Sequence, residues 1–309
     1  MPLISRLNYI MAKAEVTYGT DSVPTGAANA VLVRNLTITP LAGERVSRDI
    51  VRPFLGASEE LVATRYVQIE FEIEMAGSGT AGTAPAYDAI LRACGMTGTT
   101  QAGTSVTYTP ISAAFPSMTL YYNVDGVQHR ITGARGNMEI NIQARAIPFY
   151  RFTFTGLYNA PADTAATAQT LTAWQTPIVV NTANTSGYQL HGYGGAMESL
   201  TLNLNNEVIY RSLVGAEDVL ITNRSISGQA VFEAPTIAQK DYFTTAIGNA
   251  LGNLAIIHGT AAGNRVELAS ARLNVSGASY QEQNGIHMLN VPFQLVPSAS
   301  GNEFSLIVR

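Results

Sequence analysis

The residues that first invite a chemical reading are the glycines of "EMAGSGTAGTAP", which spell G-x-G-x-x-G at Gly77, Gly79 and Gly82. Glycines at this spacing let backbone N–H groups reach a pyrophosphate. They do so when they follow a buried parallel strand and when an acid about 20 residues on takes the ribose. Both conditions fail. The preceding run, Tyr66 to Met75, places Val67, Ile69, Phe71 and Ile73 on one face and Gln68, Glu70, Glu72 and Glu74 on the other. That alternation belongs to a half-buried antiparallel strand. No Asp or Glu lies between Asp88 and Asp125. The glycines are expected to form a flexible loop, and no cofactor is expected.

The remaining reactive side chains are dispersed. His129, His191, His258 and His287 lie far apart and none has an i, i+4 partner of the kind a helical metal site uses. Neither a zinc-protease motif nor a Gly-x-Ser-x-Gly elbow occurs. The single cysteine, Cys94, sits in the apolar run "AYDAILRAC" and reads as a small buried thiol. No metal site and no catalytic constellation are expected, so the chain reads as a non-enzyme. Glu70, Glu72 and Glu74 share one strand face, where like charges repel unless water or counter-ions screen them. They form either an ordinary solvent face or the acidic wall of a water-filled channel.

Two stretches mix arginine, acids and exposed apolar residues. "GERVSRDIVRPFLGASEELVATRY" (43–66) carries Arg48, Ile50, Arg52, Phe54 and Leu55; "NEVIYRSLVGAEDVLITNR" (206–224) carries Arg211, Leu213 and Val214. Long excursions of this composition between strands read as contact arms for other subunits.

The elements that must position these residues are mostly strands. The chain has 309 residues, of which 13% are charged, and a formal charge of −4. Length allows two domains of roughly 100–200 residues each. The charge, with only Lys13 and Lys240 as lysines, argues against a nucleic-acid reader, which needs clustered cations. Arginine in place of lysine leans toward protein interfaces. No apolar core of signal-peptide length is present near the N-terminus and no 18-residue apolar segment occurs, so folding in a reducing cytosol is expected.

The organisation expected is an N-terminal arm (1–30), a first β domain (31–157), a linker (158–190) and a second β domain (191–309). A short helix is expected at 85–94, a tight hairpin at "NVDG" (123–126), and an edge strand at "TPIVVNT" (176–182) within the linker. The order of elements recurs. "NLTITP" (35–40) is answered by "SLTLNL" (199–204), "RPFLGASEELVATR" (52–65) by "RSLVGAEDVLITNR" (211–224), and "YDAILRACG" (87–95) by "KDYFTTAIG" (240–248). "NMEINI" (137–142) is matched to "RLNVSG" (272–277). An internal duplication is expected, each half a β domain with one helix packed on it.

The linked motifs "YGTDSVPTGAANAVLVRN", "VRPFLGAS", "IEFEIEMAGSGTAGTAPAYDAILRACG", "SVTYTPIS", "LYYNVDGVQHRITGARGNMEI" and "FTFTGLY" resemble the major tail tube proteins of long-tailed, siphovirus-type bacteriophages. The resemblance covers most of the first half, about 16–158, and is weaker in the second. It implies a mainly β fold, two tandem sandwich or barrel-like tube domains each with a short flanking helix. It also implies inner strands that join those of neighbouring subunits into rings, and rings that stack into a hollow tube conducting DNA to the host. In that scheme the loops at 40–66 and 205–224 reach toward the adjacent ring, and the strand at 66–75, with Glu70, Glu72 and Glu74, helps line or support the lumen. The partners implied are further copies of the chain, tail tip or initiator, tape measure and tail terminator proteins, and DNA in transit. Membrane insertion is not implied, and assembly would take place in the host cytoplasm. With a duplicated domain, three chains would build a six-domain ring; without it, the ring would hold six chains. The alternatives are another self-assembling β-rich phage structural protein and an outer-membrane β-barrel.

Overall fold

The strand read from the alternation at 66–75 runs from Tyr66 to Glu74 and lies antiparallel between Arg34–Ala42 and Phe149–Tyr158. A computed structural model describes residues 3–299 and 301–309 of the chain. Phe149–Tyr158 pairs in turn with the long strand Val127–Gln143, whose last residues, Glu139 to Gln143, pair with Asn203 to Ser199. From Met197–Asn203 the pairing continues through Ser227–Glu233 and Ile286–Leu295 to Ser279–Gln283. A single antiparallel sheet therefore passes from the first half of the chain into the second without a break.

Period-2 alternation gives this sheet one apolar face. Phe71 stacks on Phe154 and packs on Phe152, with ring centroids 5.8 and 5.7 Å apart. These rings belong to one buried core with Ile10, Met118 and Leu120, and with Phe232, Leu254, Leu268 and Phe293 of the second half. Opposite the sheet, Asn8–Ala14 pairs with Met118–Val124, which pairs with the start of Val127–Gln143. In the second half, Thr185–Leu190 pairs with Leu251–His258, which pairs with Val266–Val275. The hairpin Met96–Gln101/Ser105–Pro110 takes up the C-terminal strand Ser305–Val308, with Tyr108 opposite Leu306.

The turn expected at 123–126 closes on Asp125 and Gly126, both at positive φ (38° and 98°). This is the geometry of a two-residue hairpin whose twist matches its strands. The first helix spans Asp88–Ala93, buries Ile90, Leu91 and Ala93, and gives way to Gly95 at φ 76°. The second, Tyr242–Ile247, is capped by the Asp241 carboxylate, which accepts from the Thr244 amide at 2.9 Å.

The edge strand expected at 176–182 does not form. The Asn181 side chain accepts from the amides of Ala183 and Asn184 at 3.0 and 2.9 Å, closing a turn there instead. The strand starts at Thr185, inside the stretch read as linker. The stretch read as an N-terminal arm supplies Asn8–Ala14, with Ile10, Met11 and Ala12 buried.

Two hairpins stand outside the sheet. Arg45–Ser47 pairs with Glu60–Val62, and Asn206–Leu213 with Ala216–Arg224.

Candidate functional site

Among the described residues no group of side chains forms an enclosed chemical centre; the distinctive surfaces are a mainly polar sheet face, two hairpins and two strand edges. Glu70, Glu72 and Glu74 do share one face. Strand register sets Arg34 and Arg151 on either side of Glu72. Arg34 Nε donates to Glu72 Oε2 at 2.9 Å, Asn35 Nδ2 to the same oxygen at 2.8 Å, and Arg151 Nη2 to Oε1 at 3.0 Å. Glu72 is only 4% exposed, so the wet environment expected for all three acids does not extend to it. Cross-strand arginines, rather than water, neutralise the middle charge. Burial raises the Glu72 pKa, but hydrogen bonds from Arg151 and Asn35 and the charge of Arg34 more than reverse this and hold it below the ordinary carboxylate value. Glu70 stands 3.5 Å from Arg151 and Glu74 3.9 Å from Arg34, both partly open to solvent. The same face continues with Glu139, Thr201, Asn203 and Gln229 and is mainly polar, interrupted by Phe149 opposite Glu74 and by Val231.

The glycine motif has a packing role. Its strand is antiparallel on both sides, unlike that of a dinucleotide site. The Gly77 amide donates to Asn264 Oδ1 at 2.6 Å and the Gly79 amide to the Gly263 carbonyl at 2.9 Å. A Cβ on Gly77 would meet that carbonyl at 2.1 Å. The glycines therefore let two loops, one from each half, touch backbone to backbone. This is a fixed contact rather than the flexible loop expected.

The histidines remain apart. His129 lies against the Tyr122 ring and His287 against Tyr280. His191 Nδ1 is 2.8 Å from Lys240 Nζ, and His258 is held between the Thr185 hydroxyl and the Ile178 carbonyl. Cys94 is fully buried, which pushes its thiol pKa well above the ordinary value. Among the described residues no group of three or more His, Cys, Asp or Glu is placed to hold a metal ion, and no helix is long and apolar enough to cross a membrane.

The hairpins differ in what they touch. In the first, Arg48 Nη1 meets Glu59 at 2.9 Å, Arg52 faces the Phe54 ring, and Ile50, Phe54 and Leu55 are exposed. The base of the second lies on the first half of the chain. Tyr210 packs on Tyr66 with ring centroids 4.9 Å apart. Arg135 donates to the Val219 carbonyl at 2.7 Å, and the Val219 amide donates to Tyr18 Oη at 2.6 Å. Arg224, largely covered, lies against buried Glu303, donating from Nε at 2.9 Å and Nη2 at 2.5 Å. The tip stays open, with Leu213 and Val214 exposed and Arg211 3.7 Å from Asp218. Tyr18, Arg135, Asn206 and Glu303 were not singled out by sequence. The only trace was the arginine recurring at 65 and 224, in the repeated motif.

A β subunit with a chain-long sheet, open strand edges and projecting hairpins belongs to the class of structural assembly proteins. Its core is packed with aromatic rings and its sheet face is mainly polar, the reverse of a transmembrane barrel with a lipid-facing apolar band. The family profile of phage tail tube proteins matches residues 5–295, and the chain belongs to that family. A comparison with curated proteins finds no match. The protein is accordingly a structural component of the phage virion that self-assembles into the tail tube.

Proposed function

We propose that the chain assembles as stacked rings, three chains to a ring, and that the rings enclose a hollow conduit through which DNA passes to the host. The observation that carries this reading is the continuous sheet with an unpaired strand at each end, Arg34–Ala42 and Ser279–Gln283. Open edges of this kind must be paired or protected, and closing a sheet into a ring removes them. The parallel pairing order of the two halves, each with one short helix, supports an internal duplication, and thus six similar lobes from three chains.

The polar face with Glu70, Glu72 and Glu74 lines the lumen. Its exposed acids repel phosphates, so DNA gains no counter-ion release by adhering and slides instead. Arg48, Ile50, Arg52, Phe54 and Leu55 on one hairpin, and Arg211, Leu213 and Val214 on the other, meet neighbouring subunits. The base of the second hairpin belongs to its own ring, and its tip reaches the next. Assembly takes place in the host cytoplasm, with initiator, tape measure and terminator proteins of a siphovirus-type tail meeting the tube ends and lumen.

Negative-stain electron microscopy of tail-like particles from the producing cell tests the reading. Hollow tubes labelled along their length by antibody to this chain are expected. Label confined to another part of the particle would overturn it.

A further inference from the structure

The sequence "QEQNGIHM" (281–288) holds Asn284, the only asparagine of the chain that a glycine follows. A following glycine has no side chain to shield its amide nitrogen, which can then approach the asparagine carboxamide closely. Gln283 pairs with Ile286, so Asn284 and Gly285 make up a two-residue hairpin loop, both at positive φ (54° and 80°). The hydrogen bond of such a turn joins its flanking residues and leaves the glycine N–H outside the ladder. Glu282 takes that N–H: its Oε1 accepts from the Gly285 amide at 2.6 Å.

The surroundings leave this loop room to react. Asn284 and Gly285 are both exposed, and nothing lies within 4 Å of a carbon added at Gly285. The hairpin loop at Asp125 and Gly126 is held instead, with Asp125 Oδ2 accepting from the Ile4 amide at 2.7 Å. The carboxamides of Asn181, Asn205, Asn206 and Asn264 are likewise tied to backbone groups.

We propose that Asn284 is a site of self-catalysed deamidation, with Glu282 as the base. The attack turns Asn284 about its own backbone, a movement that an exposed loop tip allows. The Gly285 nitrogen then bonds to Asn284 Cγ as the Glu282 carboxylate takes its proton. The Cγ–Nδ2 bond breaks, and the amide nitrogen leaves with that proton as ammonia. Water opens the resulting five-membered imide at either carbonyl, giving aspartate or isoaspartate at position 284. No reactant besides water is consumed. Either product sets a new carboxylate near Glu282, where like charges repel. Isoaspartate also lengthens the loop by one backbone carbon, which disturbs the turn that sets Ser279–Gln283 in register with Ile286–Leu295.

Peptide mass spectrometry of the purified full-length chain, stored at neutral pH and sampled over weeks, tests the site and the base separately. Asn274, Asn284, Asn290 and Asn302 fall on one tryptic peptide, the stretch after Arg272, and are compared in the same digest. Conversion at Asn284 is expected to outrun that at each of the others by about tenfold or more, with isoaspartate detected by enzymatic methylation. Glu282→Gln keeps the shape of the side chain and removes the base. It is expected to slow the reaction by about tenfold, less than a buried base contributes because Glu282 is open to water. Conversion at Asn284 no faster than at the other three overturns the site. Fast conversion that Glu282→Gln leaves unchanged overturns the role of Glu282.

Discussion

The side-chain amide of Asn206 donates to the Cys94 carbonyl at 2.7 Å and to the Gly136 carbonyl at 3.0 Å. One residue at the base of the second hairpin thus satisfies the end of the first helix and a position on the long central strand. Asn206→Leu keeps the volume and removes both donors. We expect it to lower stability by about 1–3 kcal/mol, the cost of stranding buried acceptors. Urea unfolding of the unassembled chain should show a lower midpoint with little change in slope.

The buried Arg224–Glu303 pair and the exposed Arg48–Glu59 pair should respond very differently to removal of the arginine. Side-chain exposures are 11% and 7% for the first pair against 50% and 58% for the second. Arg224→Met leaves the buried Glu303 carboxylate without its partner and is expected to cost about 3–5 kcal/mol. Arg48→Met is expected to cost about 0–1 kcal/mol. Thermal melts of both variants check the contrast.

At Gly77 an added methyl collides with the Gly263 carbonyl, whereas at Gly277 nothing lies within 4 Å of the added carbon. Gly77→Ala is expected to destabilise by about 1–3 kcal/mol as the two loops are forced apart. Gly277→Ala should stay within about 0.5 kcal/mol of the parent. Equal effects in denaturant unfolding would contradict the packing role given to the glycine motif.

Acid should erode the contribution of Glu72. Its folded pKa lies below its ordinary 4.5, so its stabilisation is complete above that value and is lost as pH falls through the folded pKa. The stability advantage of the parent over Glu72→Gln should therefore be constant near neutrality and shrink below pH 4.5. An advantage independent of pH would mean that the carboxylate charge contributes nothing.

Much of this architecture was legible because period 2 survives local noise. Tyr66–Glu74, the Asp125–Gly126 hairpin and burial of Cys94 follow from neighbours in sequence. Glu72 was misread because its counter-charges, Arg34 and Arg151, come from strands whose register no local pattern encodes. The glycine loop was misread for a similar reason, since Gly77 meets Asn264, 187 residues away. Thr185–Leu190 escaped because "TSGYQL" lacks apolar alternation and gains its strand from pairing with Leu251–His258. At the second hairpin, the contacts of Tyr18 and Arg135 depend on how the halves meet.

Cryo-electron microscopy of the assembled tube, with a reconstruction fine enough to trace strands, tests the central claim most directly. The account predicts three chains per ring, the sheet continuous from one chain to the next, and Glu70, Glu72 and Glu74 on the wall of the lumen. A tube of this chain whose lumen is lined by another surface, with those acids turned away from it, would contradict the account.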